Sequence, residues 1–152
     1  MGLGTSAILW ILLVLTFAGN GRAENWPRWR GPRGNAVSQE TGLPTQWDKA
    51  KNVVWKTTVP GEGASSPIVW EDYVFVTSSH DYGVRRQLHC LDRRTGHLRW
   101  TREIADENPE LSSSLTGYAA PTPVTDGSRV VAFLGNGGLL GRPKVMPAIW
   151  AL

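Results

Sequence analysis

An all-β fold is expected from this sequence, on three observations. Glycine and proline, which interrupt helices, are abundant, with 17 and 10 among 152 residues. Tryptophan, at 8 residues, favours strands and the packing of one layer on another. Beyond residue 51, short runs of β-branched and aromatic residues alternate with polar turns, and no stretch carries sustained helical periodicity with caps. A hydrophobic share of 41% with 19% charged residues is globular composition and excludes wholesale disorder.

The first residues stand apart from that domain. Ala7 to Ala18 is a run of 12 residues without charge or proline, close to a signal-peptide core and short of the ~20 residues of a spanning helix. Gly21 and Ala23 are the small residues that a peptidase accepts ahead of a cut before Glu24. A signal peptide over residues 1–23 is therefore expected, with a periplasmic or secreted location and no membrane span after cleavage. Because no Lys or Arg precedes the run, an uncleaved N-terminal anchor is the alternative.

Residues 24–51 lack clean periodicity and are broken by Pro27, Pro32 and Pro44, which predicts an extended arm. Its Trp26, Trp29 and Trp47 are expected to lie on the domain, since burying a large apolar side chain is worth ~1.5–3 kcal/mol. Strands are expected at Val53–Val59, Ser66–Trp70, Tyr73–Ser78, Gln87–Asp92, Leu98–Ile104, Thr122–Thr125 and Arg129–Gly135. Glu71-Asp72, Arg94-Thr95-Gly96, Asp126-Gly127-Ser128 and Asn136-Gly137 read as the connecting turns.

The series contains a repeat. Val53-Val54-Trp55-Lys56-Thr57 resembles Leu98-Arg99-Trp100-Thr101-Arg102, and the two tryptophans are 45 residues apart, within the ~40–45 of a four-stranded propeller blade. Ser66-Pro67-Ile68-Val69 and Ala120-Pro121-Thr122-Pro123 form a second related pair. Trp55 then belongs to a lone outer strand of the sort that closes a ring by joining its last blade.

Cys90-Leu-Asp-Arg-Arg-Thr-Gly-His-Leu-Arg-Trp100 resembles the tryptophan-docking motif of the pyrroloquinoline-quinone (PQQ)-type β-propeller repeat, Ala-x-Asp-x-x-Thr-Gly-Lys-x-x-Trp. Asp92, Thr95, Gly96 and Trp100 fall on that pattern, with Cys90 in place of Ala and His97 in place of Lys. The segment from Asn25 to Pro44, with Trp47 and Trp55, is similar to the start of exported PQQ-like propeller proteins of planctomycete-type bacteria. The resemblance implies a partial propeller over 52–140, about one complete four-stranded blade plus flanking strands, and structural roles for Cys90, Asp92, Thr95, Gly96, Trp100 and Trp55. It also implies a fragment: such rings carry about four to eight blades, and residues 141–152 read as a divergent tail that abandons the repeat.

Catalytic chemistry finds little support in the residues. Quinoprotein dehydrogenases hold their quinone with Ca²⁺, and the alcohol-oxidising branch adds an adjacent Cys-Cys pair, whereas Cys90 is the only cysteine and no acidic cluster has Ca²⁺-ligand spacing. Cys90 permits no internal disulfide and reads as a buried strand residue. His80, His89 and His97 match no zinc spacing and read as isolated polar or half-buried residues. The glycines of Gly135 to Gly141 lack the following helix of a dinucleotide loop, and the serines lack a nucleophile-elbow context. A net charge of +3, with only Arg28, Arg30 and Arg33 clustered, excludes an electrostatic nucleic-acid binder. No catalytic, cofactor-binding or metal residue is assigned. The expectation is a non-catalytic exported binding or scaffold protein with a protein, peptide or saccharide ligand, the alternative being a fragment of a PQQ-dependent quinoprotein dehydrogenase. An outer-membrane assembly factor is a third class, against which the missing lipid-attachment cysteine counts.

Overall fold

A computed structural model describes residues 23–113 and 115–143. The leader expected over 1–23, save Ala23, and the tail from residue 144 onward lie outside the described residues. The described chain is all-β, with two antiparallel sheets.

The first sheet has four strands in sequential order, β1 (Ile68–Trp70), β2 (Tyr73–His80), β3 (Arg85–Asp92) and β4 (Leu98–Ala105). The second has three, β5 (Val124–Thr125), β6 (Arg129–Phe133) and β7 (Leu139–Pro143). Strands β1 and β5 start later than the patterns suggest because Pro67 and Pro123 immediately precede them and lack the N–H that a ladder uses. All four expected turns connect antiparallel neighbours, Glu71-Asp72 within a two-residue hairpin closed by Trp70 opposite Tyr73.

Alternation along β2 and β3 puts one face of the first sheet against the second. Ile68, Phe75, Leu88 and Cys90 meet Val130, Ala132, Leu134 and Leu140 in one buried cluster, flanked by Trp70, Tyr73, Trp100 and Ile104. Trp70 also covers Gly127 in the β5–β6 turn, where an added Cβ would lie 2.5 Å from the ring.

The arm fastens both sheets. Trp26 pairs with Val69 on the free edge of β1, Asn25 Oδ1 accepts from the Glu71 amide, and the Pro27 carbonyl accepts from the Thr125 amide of β5.

Two expectations need correction. Val53–Val59 forms no ladder among the described residues: it runs past the β3–β4 turn and is held by side chains instead of strand pairing. Only Trp26 of the three arm tryptophans packs. Trp29 and Trp47 remain 64% and 70% exposed, Trp29 because it sits on a tight loop beside Arg30, whose guanidinium lies 5.7 Å from its ring. The last strand, β7, runs past residue 140 and pairs with β6 from Arg129–Pro143 to Phe133–Leu139.

Candidate functional site

The β3–β4 turn gathers the residues of the repeat motif. Asp92 Oδ1 accepts from the amides of Arg94 and Thr95 at 2.9 and 2.8 Å and from the Thr95 hydroxyl at 3.0 Å. Oδ2 takes the Arg99 guanidinium, which also lies over the Tyr73 ring at 4.7 Å. Arg99 and these turn donors hold the Asp92 carboxyl well below the usual carboxylate range. Gly96 stands at φ +74 with no Cβ, and the Trp55 indole fills that space; a Cβ there would meet the ring at 2.5 Å. Trp55 Nε1 donates to the Arg93 carbonyl at 2.7 Å, and the Thr57 hydroxyl to that of Gly96 at 2.8 Å. Trp100 occupies a different environment, half-buried with its ring 6.0 Å from Phe75. Cys90 is fully buried, and burial pushes its thiol up to about 12, so it holds no reactive thiolate.

His89 is not isolated. Its Nε2 lies 2.8 Å from the Ser78 hydroxyl and its Nδ1 2.9 Å from the Thr101 hydroxyl, a chain of polar groups crossing β2, β3 and β4. His89 is 1% exposed, and burial lowers its pKa, aided by His80. Both ring nitrogens are spent on neighbours. Ser78 is buried too, so the pair has the contacts of a nucleophile and base without access for a substrate.

The opposite end of the first sheet carries the connections. Arg86 is fully buried there and ties three segments together. Its Nε donates to the Gly83 carbonyl, NH1 to the Leu134 carbonyl of the second sheet, and NH1 and NH2 to both oxygens of Glu110. Asp106 adds a second carboxylate at 3.8 Å, and the Tyr118 ring lies 5.5 Å from the guanidinium. This pairing holds the Glu110 carboxyl down at about 2. Gly135 leaves room for it, as a Cβ would fall 2.0 Å from Arg86 NH1.

Above this staple the β2–β3 turn takes an uncommon path. Asp81, Tyr82 and Gly83 have successive φ values of 51, 54 and 87. Such backbone is routine for glycine, tolerable for aspartate and costly for tyrosine. Arg85 Nε donates to Asp81 Oδ2 at 2.6 Å, and Tyr118 lies against Gly83, so the turn is fixed from both sides. Tyr82 is left 89% exposed. It overlooks a groove of about 630 Å³ whose walls include Glu62, His80, Asp81, Ser112 and Tyr118. Ligand clefts typically enclose ~300–1,000 Å³.

The sequence reading missed this groove, and it missed Arg86. The only local signal is a lone basic residue at an inward-facing strand position, and its carboxylate partner lies 24 residues away in a loop. A quinone with Ca²⁺ needs several convergent oxygen ligands. Among the described residues no group of three or more His, Cys, Asp or Glu side chains is placed to hold a metal ion. No helix among them is long and apolar enough to cross a membrane.

No curated protein matches the chain. A family model for PQQ-like repeats, described as outer membrane protein assembly factor BamB, matches residues 22–144. That match spans most of the chain and coincides with the two antiparallel sheets and their glycine-turn packing, and the chain belongs to this family of PQQ-like repeat proteins.

Proposed function

We propose that the chain acts outside the cytoplasm as a non-catalytic binding or scaffold module built on propeller repeats, taking its ligand in the groove beside Tyr82. The supporting observation is the turn itself: a large aromatic side chain is kept in costly left-handed backbone and left in solvent at the groove's rim. Strain of this kind persists where surrounding contacts over-determine it, and it concentrates at binding sites. In the same reading Cys90, Asp92, Thr95, Gly96, Trp100 and Trp55 are structural, with Trp55 docking on the β3–β4 turn. Residues 53–59, extended and unladdered, are the segment a closing strand would join.

The test is hydrogen–deuterium exchange on the full chain with a panel of neutral oligosaccharides and short peptides. Protection is expected at residues 61–62, 79–82, 112–113 and 117–118, which line the groove. Protection confined to the β3–β4 turn, or none with any probe, would overturn the assignment.

A further inference from the structure

The groove's chemistry narrows its ligand, on the reading that it is the binding site. No lysine or arginine lines it among the described residues, so an anionic ligand would find no counter-charge. An extended peptide would dock by adding to a strand edge, but the edge at the groove is already closed. The Glu62 amide donates to the Ser79 carbonyl at 2.9 Å and the Ser79 amide to the Glu62 carbonyl at 2.7 Å.

What the walls present is an excess of acceptors. The Ser79 hydroxyl is spent on the Glu62 carbonyl and the Ser112 hydroxyl on the Ser113 carbonyl. Gln87 donates its amide to Glu103 at 2.6 Å, which turns its carbonyl oxygen toward His80 Nε2 at 3.1 Å. That oxygen only accepts, so His80 Nε2 donates to it. With the carboxylates of Glu62 and Asp81, the groove offers acceptors to a ligand rich in hydroxyl donors. Tyr82 supplies a flat, amphipathic face beside them. A polycation would also meet the two carboxylates here, and tetralysine tests for it.

We infer that the groove beside Tyr82 binds a neutral oligosaccharide, one sugar ring stacking on Tyr82 and its hydroxyls donating to Glu62 and Asp81. Stacking needs the ring of Tyr82 and not its hydroxyl. Because the side chain stands in solvent, replacing it leaves the fold in place.

The experiment is calorimetric titration of the full chain with cellotetraose, maltotetraose, xylotetraose and chitotetraose, with tetralysine as the cationic probe. At least one tetrasaccharide is expected to bind. Tyr82→Ala is expected to weaken it about tenfold, and Tyr82→Phe to leave it within about twofold. Circular dichroism checks that both variants are folded. Absence of binding by all four sugars overturns the inference, as does binding that survives Tyr82→Ala. Tetralysine binding that depends on Tyr82, with no sugar bound, overturns the sugar and leaves the groove as the binding site. If no probe binds and none protects the groove walls from exchange, both readings fall together.

Discussion

Two turns of the same sheet solve the same backbone problem in opposite ways. Between β3 and β4 the left-handed position is Gly96, and the space its missing side chain leaves is filled by Trp55. Between β2 and β3, two of three left-handed positions are Asp81 and Tyr82. The first turn is locally economical: Asp92 and Thr95 satisfy its amides, and Trp55 covers Gly96. The second depends on contacts from outside, from Arg85 and Tyr118 down to the Arg86 staple. A turn that satisfies itself serves the fold, whereas one held open against its own preference has been shaped for something else.

Three substitutions bear on that contrast. The largest effect is expected from Arg86→Ala, at about 3–5 kcal/mol, because it leaves Glu110 and two backbone carbonyls without their buried donor. Urea unfolding of the full chain measures it, and a loss below about 1 kcal/mol would show that the connection end does not rest on this pair. Gly96→Ala comes next, at about 2 kcal/mol, from the positive φ and a Cβ placed 2.5 Å from the Trp55 ring. Tryptophan fluorescence should shift with it, since Trp55 must leave its seat; an unmoved spectrum with unchanged stability would remove the docking role. The smallest effect has the opposite sign. Tyr82→Gly should raise stability by up to about 1 kcal/mol by relieving left-handed backbone, while removing the groove's aromatic face. Destabilisation would mean that Tyr82 supports the fold.

The structural half of this contrast was readable in sequence. Asp92, Thr95 and Gly96 lie within five consecutive residues, and their work is local, one side chain bonding the turn it belongs to. Strand order followed from the same locality, because each turn sits between the strands it joins. What escaped was non-local. Arg86 meets Glu110 and the Leu134 carbonyl across 24 and 48 positions, and nothing near it in sequence marks those partners. His89 became part of a buried polar chain only when β2 and β4 flanked it. Tyr82 has a positive φ although it is not a glycine, and the Tyr118 ring packs against the Gly83 that follows it. The 53–59 run has a strand's composition without a ladder, because composition sets conformation and a neighbour must supply the pairing.

The bond from the Thr125 amide to the Pro27 carbonyl sets a timetable. Its two ends are almost a hundred residues apart, so it waits on the closure of a long loop while the turns of each sheet form locally. Throughout that interval the segment that seals the edge of β1 is itself unsealed, and the nascent protein carries an open strand edge next to the aromatic arm. The seam that joins the arm to the second sheet closes only across that long loop, and the risk of aggregation at this edge lasts until it does.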